Sequence, residues 1–425
     1  MSKVSLIVSH PTGNANLRAA LQGFVASDIL KEFHTTVACF NDDLIIKLGK
    51  GPLKEFKRRI YPDNLKPFTR SHPFKELGRM LALKSGFKNL VAHESGAFSV
   101  DAVYHHLDKK VAARILELKQ QNVSAVYAYE DGALESFKAA SQIRICKLYD
   151  QPIGYWRAAR HYLEKEREAR PEWAMTMLGF NDSKEKLERK DEEIQLADHI
   201  FAASSFTAST LQYYPGMLNE ISVIPYGFPD IAKEKIYISL KDRPLEVLFV
   251  GGLSQRKGIA NVFEAAEKLG KSINLTIVGA KSGAECPALD KALKTCTWIQ
   301  GLPHHEILEL MRRSDVLVFP SLFEGFGLVI TEAMSQGIPV ITTNRTAGPD
   351  VITDGENGLI IEAGSTEALI QSLQSLIDQP DRIEKMGRNA RHTASLRPWS
   401  VYGSELSDAI IALHKLKLQN QNVNV

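Results

Sequence analysis

The chain has 425 residues, of which 44% are hydrophobic and 24% are charged, and its formal net charge is +2 at pH 7. This length predicts two or three domains, and the nearly balanced charge gives no support for nucleic-acid binding. No run of eighteen apolar residues is present, which excludes an ordinary membrane-spanning helix. The first residues lack the apolar core of a secretory signal, and four scattered cysteines suit a reducing compartment, so we expect a cytoplasmic protein.

Short apolar runs alternate with segments of helical periodicity along the chain. The alternation predicts an α/β fold with parallel sheets covered by helices. In the first half, strands are predicted at residues 4–9, 36–40, 123–129, 143–149, 199–203 and 221–225. In the second half they are predicted at residues 246–250, 275–278, 298–300, 316–319, 339–342 and 358–361. Two such series predict two doubly wound domains.

Residues 226–243 separate the two series and are rich in glycine, proline and charged residues. Such a composition favours a connection between domains. We therefore place an N-terminal domain at residues 1–225, a hinge at residues 226–243 and a C-terminal domain from residue 244 to residue 399.

Residues 41–90 form a basic stretch, with twelve Lys and Arg residues against five Asp and Glu residues. Aromatic residues such as Phe56, Phe68 and Phe74 alternate with these cations. One interpretation is a surface that docks on anionic lipid, with roughly 1 kcal/mol for each basic residue near the membrane. The other interpretation is a solvated loop and helix face, and the sequence leaves both open.

A glycine loop with two cations follows the first strand of the second series, Gly251-Gly252-Leu253-Ser254-Gln255-Arg256-Lys257-Gly258. Glycines let a ligand approach the backbone, Arg256 can bind phosphate oxygens through two N–H groups, and Lys257 adds a point charge. The start of a helix nearby favours an anion. The loop therefore predicts a diphosphate site, although a plain strand-to-helix turn would also explain it. The next strand ends in Gly279, which could line the same cleft or form a tight turn.

Two carboxylates, Glu324 and Glu332, stand eight positions apart across the turn Gly325-Phe326-Gly327. The apolar run before them and the helical pattern after them predict a strand, a loop and a helix. Ligands of open α/β sheets bind at the carboxyl ends of strands. Glu324 could therefore accept hydrogen bonds from sugar hydroxyls, and Glu332 could accept them from a ribose. Taken alone, Glu332 would equally suit an exposed helix face.

These motifs, together with Ala203-Ser204-Ser205-Phe206-Thr207 and Val223-Ile224-Pro225-Tyr226-Gly227, resemble the family 4 retaining glycosyltransferases. The resemblance covers roughly residues 195–400 well and the first half only loosely. It implies the GT-B fold, in which two Rossmann-like domains face each other across a cleft. It also implies transfer of a sugar from a nucleotide-diphosphate donor to an acceptor hydroxyl with retained configuration, and neither a metal nor another cofactor is required.

The resemblance also implies roles for individual residues. Arg256 and Lys257 would bind the diphosphate, Glu324 the transferred sugar and Glu332 the ribose. The other donor contacts would be Gly13, Gly252, Gly279, Gly325, Phe326, Gly327 and Leu328. The last helix, from about residue 400 to residue 425, would cross back after Trp399 and complete the N-terminal domain. The acceptor would be a cell-surface glycan or glycolipid, reached at an anionic membrane surface if the basic stretch docks there.

The first half departs from the family pattern. Relatives often carry a glycine-rich turn after the first strand, and here only Gly13 is available, with Asn14 or Asn16 to cap the next helix. Relatives also often end a mid-domain strand in a histidine that faces the sugar. The comparable strand ends here carry Glu130, Asp131 and Asp150, and we add Asp131 to the candidate catalytic residues Glu324, Arg256 and Lys257. A carboxylate there could favour developing positive charge or merely cap a helix.

Two other functions fit the same residues. One is a nucleotide-sugar epimerase or hydrolase, which needs no second sugar acceptor. The other is a protein that binds a sugar nucleotide without catalysis, against which the complete set of cations and carboxylates argues. A nicotinamide dehydrogenase is disfavoured because the run Gly251-Gly252-Leu253 lacks the glycine order of that cofactor's binding loop.

Overall fold

The structure, a computed structural model, describes residues 3–43, 56, 58–282 and 285–423. The described residues form two β-sheets with helices on their faces. The strands are β1 Leu6–Ser9, β2 Leu30–Thr35, β3 Thr69–Ser71, β4 Ala125–Tyr129, β5 Cys146–Gln151, β6 His199–Ala202, β7 Ile221–Val223, β8 Leu245–Val250, β9 Ile273–Val278, β10 Thr297–Ile299, β11 Val316–Phe319, β12 Val340–Thr343 and β13 Leu359–Ile361.

The α-helices follow the same chain order. They are α1 Ala15–Ala26, α2 Phe74–Lys84, α3 Val100–Glu117, α4 Leu134–Ile143, α5 Trp156–Ala169, α6 Lys184–Leu196, α7 Ser205–Thr210, α8 Ile259–Leu269, α9 Pro287–Ala292, α10 His304–Arg313, α11 Leu328–Ser335, α12 Gly348–Val351, α13 Thr366–Asp378, α14 Asp381–Leu396 and α15 Trp399–Val423. Among the described residues, none of these helices is long and apolar enough to cross a membrane.

Both sheets are parallel, which fits the continuous apolar strands of the sequence. The first sheet has the order β3-β2-β1-β4-β5-β6-β7, and the second has the order β10-β9-β8-β11-β12-β13. Strands β4 and β11 are buried along their whole length, as expected for strands covered by helices on both faces. The strand order reverses between β1 and β4 in one sheet and between β8 and β11 in the other. Ligands of such sheets bind beside these reversal points.

The second strand differs from the prediction. The strand expected at residues 36–40 is instead β2 at Leu30–Thr35, and β3 was not expected at all. Polar residues interrupt the apolar pattern by which a buried strand is predicted, and one of them, Glu32, is buried within β2. Arg114 of α3 donates to Glu32 at 2.7 Å and His34 lies 3.0 Å from it, so the buried carboxylate is paired. Residues 44–55 and 57 of the basic stretch lie outside the described residues.

We call the part of the chain around the first sheet the first half and the part around the second sheet the second half. The chain crosses between them twice, and the two crossings lie side by side. The backbone N–H of Phe228 donates to the carbonyl of Arg397 at 2.9 Å, and Phe228 pairs with Pro398 in a parallel bridge. Farther along the expected hinge, Lys235 donates to the carbonyl of Ser314 at 2.8 Å. Much of residues 226–243 is thus packed on the second half, and the limits of the two domains stay a prediction.

The last helix returns to the first half of the chain. Helix α15 packs against α1 at a crossing of two glycines, where a Cβ atom on Gly23 would overlap the carbonyl oxygen of Gly403. Buried Tyr402 on α15 contacts the ring of Tyr226, with ring centroids 5.1 Å apart. The crossing therefore joins the end of the chain to the core of the first sheet.

We expect Gly23→Ala to lower the melting temperature by a few degrees. Replacing glycine with alanine inside a helix normally stabilises the helix by about 1 kcal/mol. A loss of stability would therefore be caused by the overlap with Gly403. Forcing a methyl group into a tight contact costs about 1–3 kcal/mol. Gly301→Ala, at a position where a Cβ meets open space, is the control and should melt like the unchanged protein. An unchanged or higher melting temperature for Gly23→Ala would contradict the close crossing.

Candidate active site

Arg256 and Lys257 meet Glu324 beside the reversal point of the second sheet. Lys257 pairs with the Glu324 carboxylate through Nζ, and Arg256 Nη1 lies 3.2 Å from Glu324 Oε2. Arg256 also donates to the carbonyl of Phe323 at 2.7 Å, which fixes the direction of its guanidinium. The structure thus brings together the three residues that the sequence placed at the diphosphate and the sugar.

The three charges change the protonation equilibria of one another. Burial lowers the pKa of Lys257, and the carboxylate of Glu324 opposes this shift. Burial alone would raise the pKa of Glu324, but the charges of Lys257 and Arg256 hold it below its ordinary value. Glu324 is therefore ionised at neutral pH. Two cations and one carboxylate leave an excess of positive charge, which favours a bound anion.

Two glycines allow the loops that carry these residues to turn. Gly258, directly after Lys257, has a φ of 71°, and a side chain there would overlap the carbonyl of Pro320. Gly327 has a φ of 87° and immediately precedes α11. Positive φ is strained for residues with a Cβ atom. These glycines are required where the loops after β8 and β11 approach each other.

The turn after Glu324 is also held by the first half of the chain. The carbonyl of Gly325 accepts from Ser204 at 2.5 Å and from Thr207 at 2.8 Å. A Cβ on Gly325 would overlap the carbonyl of Pro152, and the buried ring of Phe326 packs on Tyr226 at 4.9 Å. Gly325 and Phe326 therefore lie at a contact between the halves, in addition to any contact they make with a donor.

Glu332 lies in α11, the helix that Leu328 begins, and its side chain is partly buried. His304, the first residue of α10, lies 3.0 Å from it through Nε2. The sequence gave no sign of this pairing, because the two residues lie 28 positions apart. His304 is exposed, so a ligand can displace it and donate hydrogen bonds to the Glu332 carboxylate.

At Gly13 and Gly279, the absence of a side chain allows neighbouring atoms of the protein to approach the backbone closely. A side chain on Gly13 would overlap Tyr61, and one on Gly279 would overlap the carbonyl of Gly251. Asn14 caps α1 by accepting from the N–H of Leu17 at 3.2 Å. Gly252, in contrast, faces open space.

The end of β4 brings a second charged group to the site. Lys190 of α6 lies 3.2 Å from Glu130 and 3.4 Å from Asp131. Burial raises the pKa of the Glu130 carboxyl, and Lys190 partly offsets this shift. Asp131 has a φ of 68°, and its N–H donates to buried Glu193 at 2.8 Å.

A cavity of about 400 Å³ lies between the two halves. Its wall includes Arg256, Lys257 and Gly252 from the second half, and Glu130 and Lys190 from the first. Asp131 does not line it, so the structure brings Glu130, and not the candidate Asp131, to the wall. Sequence analysis missed Lys190 because it lies in a helix full of charges, where no motif marks it.

Asp150 lies at the end of β5 but away from the cavity wall. It is buried and accepts a hydrogen bond from the hydroxyl of Tyr127. Burial raises the pKa of Asp150 to about 7, and the bond from Tyr127 opposes this shift. Of the three carboxylates considered at these strand ends, Glu130 alone lines the cavity.

One group of described residues has the donor atoms for a metal ion, His93, Glu94 and Asp182. None of them lines the cavity. Lys186 lies 3.2 Å from Asp182, so a cation of the protein already accompanies that carboxylate. The group therefore takes no part in the site described above.

Residues 230–393 match the sequence model of the family described as glycosyl transferases group 1. The chain is 29% identical over 231 residues to a glycogen synthase of Mycobacterium tuberculosis, which covers 52% of this chain and 55% of that protein. It is 26% identical over 278 residues to a D-inositol 3-phosphate glycosyltransferase of Corynebacterium glutamicum, covering 57% of this chain and 64% of the relative. The alignments thus span a little over half the length of these curated relatives.

Solved structures of glycosyltransferases share the fold over nearly the whole chain. A sucrose-phosphate synthase from Thermosynechococcus elongatus superposes with a TM-score of 0.64 at 16% identity, covering 97% of this chain and 100% of that one. HepE of Anabaena, in complex with UDP, superposes with a TM-score of 0.60 at 15% identity, with the same coverage. The predicted resemblance to glycosyltransferases and the predicted GT-B fold are confirmed. Membership of the retaining family 4 stays a prediction.

We expect Asp150→Asn to change how stability depends on pH. The native carboxyl keeps its proton up to about pH 7, whereas an unfolded one releases it near pH 4. Its contribution to stability is therefore present at low pH and is lost as the pH rises from 4 to 7. The melting temperature of the variant, relative to the unchanged protein, should rise between pH 5 and pH 8. A constant difference over this range would contradict the raised pKa.

Proposed function

We propose that the protein is a retaining glycosyltransferase of family 4 that moves a sugar from a nucleotide-diphosphate donor to an acceptor hydroxyl. The contact of Arg256 and Lys257 with Glu324 at the reversal point of the second sheet carries this proposal. The bound UDP of the HepE structure supports a nucleoside diphosphate as the ligand. A cell-surface glycan or glycolipid is the proposed acceptor.

The chemistry follows from the charges of the site. The donor diphosphate takes the place of Glu324 beside Lys257 and Arg256, which stabilise the negative charge that develops on the departing nucleotide. Glu324, released from one cation, accepts hydrogen bonds from the hydroxyls of the sugar. Glu332 holds the ribose in place of its contact with His304. These cations suffice for the diphosphate, so the reaction as proposed needs no metal.

The acceptor side lies with Glu130 and Lys190. Lys190 favours the ionised form of Glu130 against the effect of burial. In that form, a carboxylate beside the reacting carbon favours the positive charge that develops there. No carboxylate of the wall is identified as a covalent nucleophile. Retention then proceeds on one face of the sugar, with the departing diphosphate taking the proton of the acceptor hydroxyl.

Lys257→Ala and Glu324→Ala should each reduce turnover by about 100-fold or more, because each removes stabilisation of the departing charge or of the sugar. The measurement is release of nucleoside diphosphate and of glycosylated acceptor from nucleotide sugars. Lys268→Ala and Glu267→Ala, exposed on α8 of the same half, are the controls and should keep the normal rate.

The products separate this function from its rivals. Free sugar or an isomerised donor without a glycosylated acceptor would indicate a hydrolase or an epimerase. Binding of a nucleotide sugar without turnover in the presence of any acceptor would indicate a binding protein. Near-normal rates in both the Lys257 and the Glu324 variants would contradict the proposed site.

We also propose that the surface around α2 docks on anionic membranes, where a glycolipid acceptor would be found. Phe74, Leu81 and Phe87 are 67%, 66% and 62% exposed. Lys75, Lys84 and Lys88 accompany them. An apolar surface bordered by cations is typical of a helix that lies at the membrane interface.

Vesicles test this surface. The protein should sediment with phosphatidylglycerol vesicles at low salt and be released at high salt, because screening weakens the attraction of lysines to anionic lipid. Leu81→Ser combined with Phe87→Ser should reduce binding several-fold. The matched control combines Leu396→Ser with Leu416→Ser, two exposed leucines of other helices. No binding at low salt, or an equal loss in the control, would contradict docking through α2.

A further inference from the structure

The cavity between the two halves has a wall that is mostly apolar. Trp156 and Leu163 of α5 form one side of it, Met177 and Phe180 of the following turns form another, and Phe323 closes it from the second half. Leu163, Met177 and Phe323 also belong to one buried cluster that joins the halves. The wall is therefore a built part of the fold, and a volume of about 400 Å³ suits a small-molecule group.

Four of the five charged side chains of the wall take part in ion pairs that belong to the site described above. Glu130 pairs with Lys190, and Arg256 and Lys257 both contact Glu324. Arg160 stacks on the ring of Trp156, with its guanidinium 5.1 Å from the ring centre. The wall also includes the hydroxyls of Thr176 and Ser282, which donate to backbone carbonyls, and that of Ser254, which accepts from the N–H of Arg256. The apolar side chains between these groups offer no partners for the hydroxyls of a ligand. A sugar placed against them would lose hydrogen bonds to water without replacing them.

The apolar wall also reaches the surface. Leu178, which lines the cavity, is 46% exposed, and Met175 in the preceding turn is 59% exposed. An apolar ligand that enters past Leu178 would meet apolar side chains from the surface to the interior. Because Lys257 lies in the same wall, such a ligand would end beside the donor.

We propose that this cavity binds an apolar group of the acceptor, an alkyl chain attached next to the hydroxyl that is glycosylated. The inference rests on the proposed function, since it assigns the acceptor of that site to the amphiphiles. The chain lies along Trp156, Leu163 and Phe180, and the hydroxyl lies toward Glu130 and Lys257. Burial of the chain supplies affinity, and the charged pairs orient the polar end.

Ligand binding tests this inference without requiring turnover. Calorimetric titration with octyl glucoside, below its micellar concentration, is compared with titration with methyl glucoside. The unchanged protein should bind the octyl compound roughly 10-fold or more tightly, from the apolar area that the chain buries. Ala159→Phe, which puts a ring into the cavity, should remove this difference. Ala169→Phe, exposed near the end of the same helix, should preserve it.

A second variant covers the case in which Ala159→Phe does not fold. Leu178→Gln, at the half-exposed mouth, should reduce the preference for the octyl compound while thermal melting stays normal. Equal affinity for the two glucosides in the unchanged protein, or an unaltered preference in both cavity variants, would overturn the inference. UDP titrated separately reports the donor site. If the unchanged protein does not bind UDP but still prefers the octyl compound, the proposed function is contradicted and the inference about the apolar cavity is supported.

Discussion

The partly buried contact of Lys257 and Arg256 with Glu324 is the interaction on which the site depends. It joins the loops after β8 and β11, where the strand order of the second sheet reverses. Glu324 balances the charge of only one of the two cations. An unbalanced charge is costly to remove from water. A doubly charged diphosphate that takes the place of Glu324 would balance the two cations. The same three side chains therefore hold the two loops together and are the residues that we propose bind the diphosphate.

The loop that carries Glu324 is positioned by both halves of the chain. Ser204 and Thr207 donate to the carbonyl of Gly325, and Phe323 packs on the ring of Phe206 at 5.3 Å. A change in the separation of the halves would shift Gly325 and, through the backbone, the neighbouring carboxylate. The position of Glu324 is thus coupled to the separation of the two halves, which also determines the shape of the cavity between them.

Sequence reasoning succeeded where a single local pattern determines the structure. The apolar run Val316–Phe319 is β11 as predicted, and the glycine loops lie at strand ends. It failed where partners are distant along the chain. Strand β2 contains buried Glu32, which is stabilised by Arg114 from another element, and Glu130 is paired with Lys190, sixty positions later. Periodicity cannot reveal such pairs, because each member alone resembles an exposed polar residue.

A crystal structure of the protein with UDP, the nucleotide present in the HepE complex, tests the central claim most directly. We expect diphosphate oxygens within hydrogen-bond distance of Lys257 Nζ and the Arg256 guanidinium, with the ribose hydroxyls at Glu332. We also expect the Lys257–Glu324 contact to be lengthened. A diphosphate bound elsewhere, with the contacts of Glu324 to Lys257 and Arg256 unchanged, would contradict the assignment of these residues to the donor.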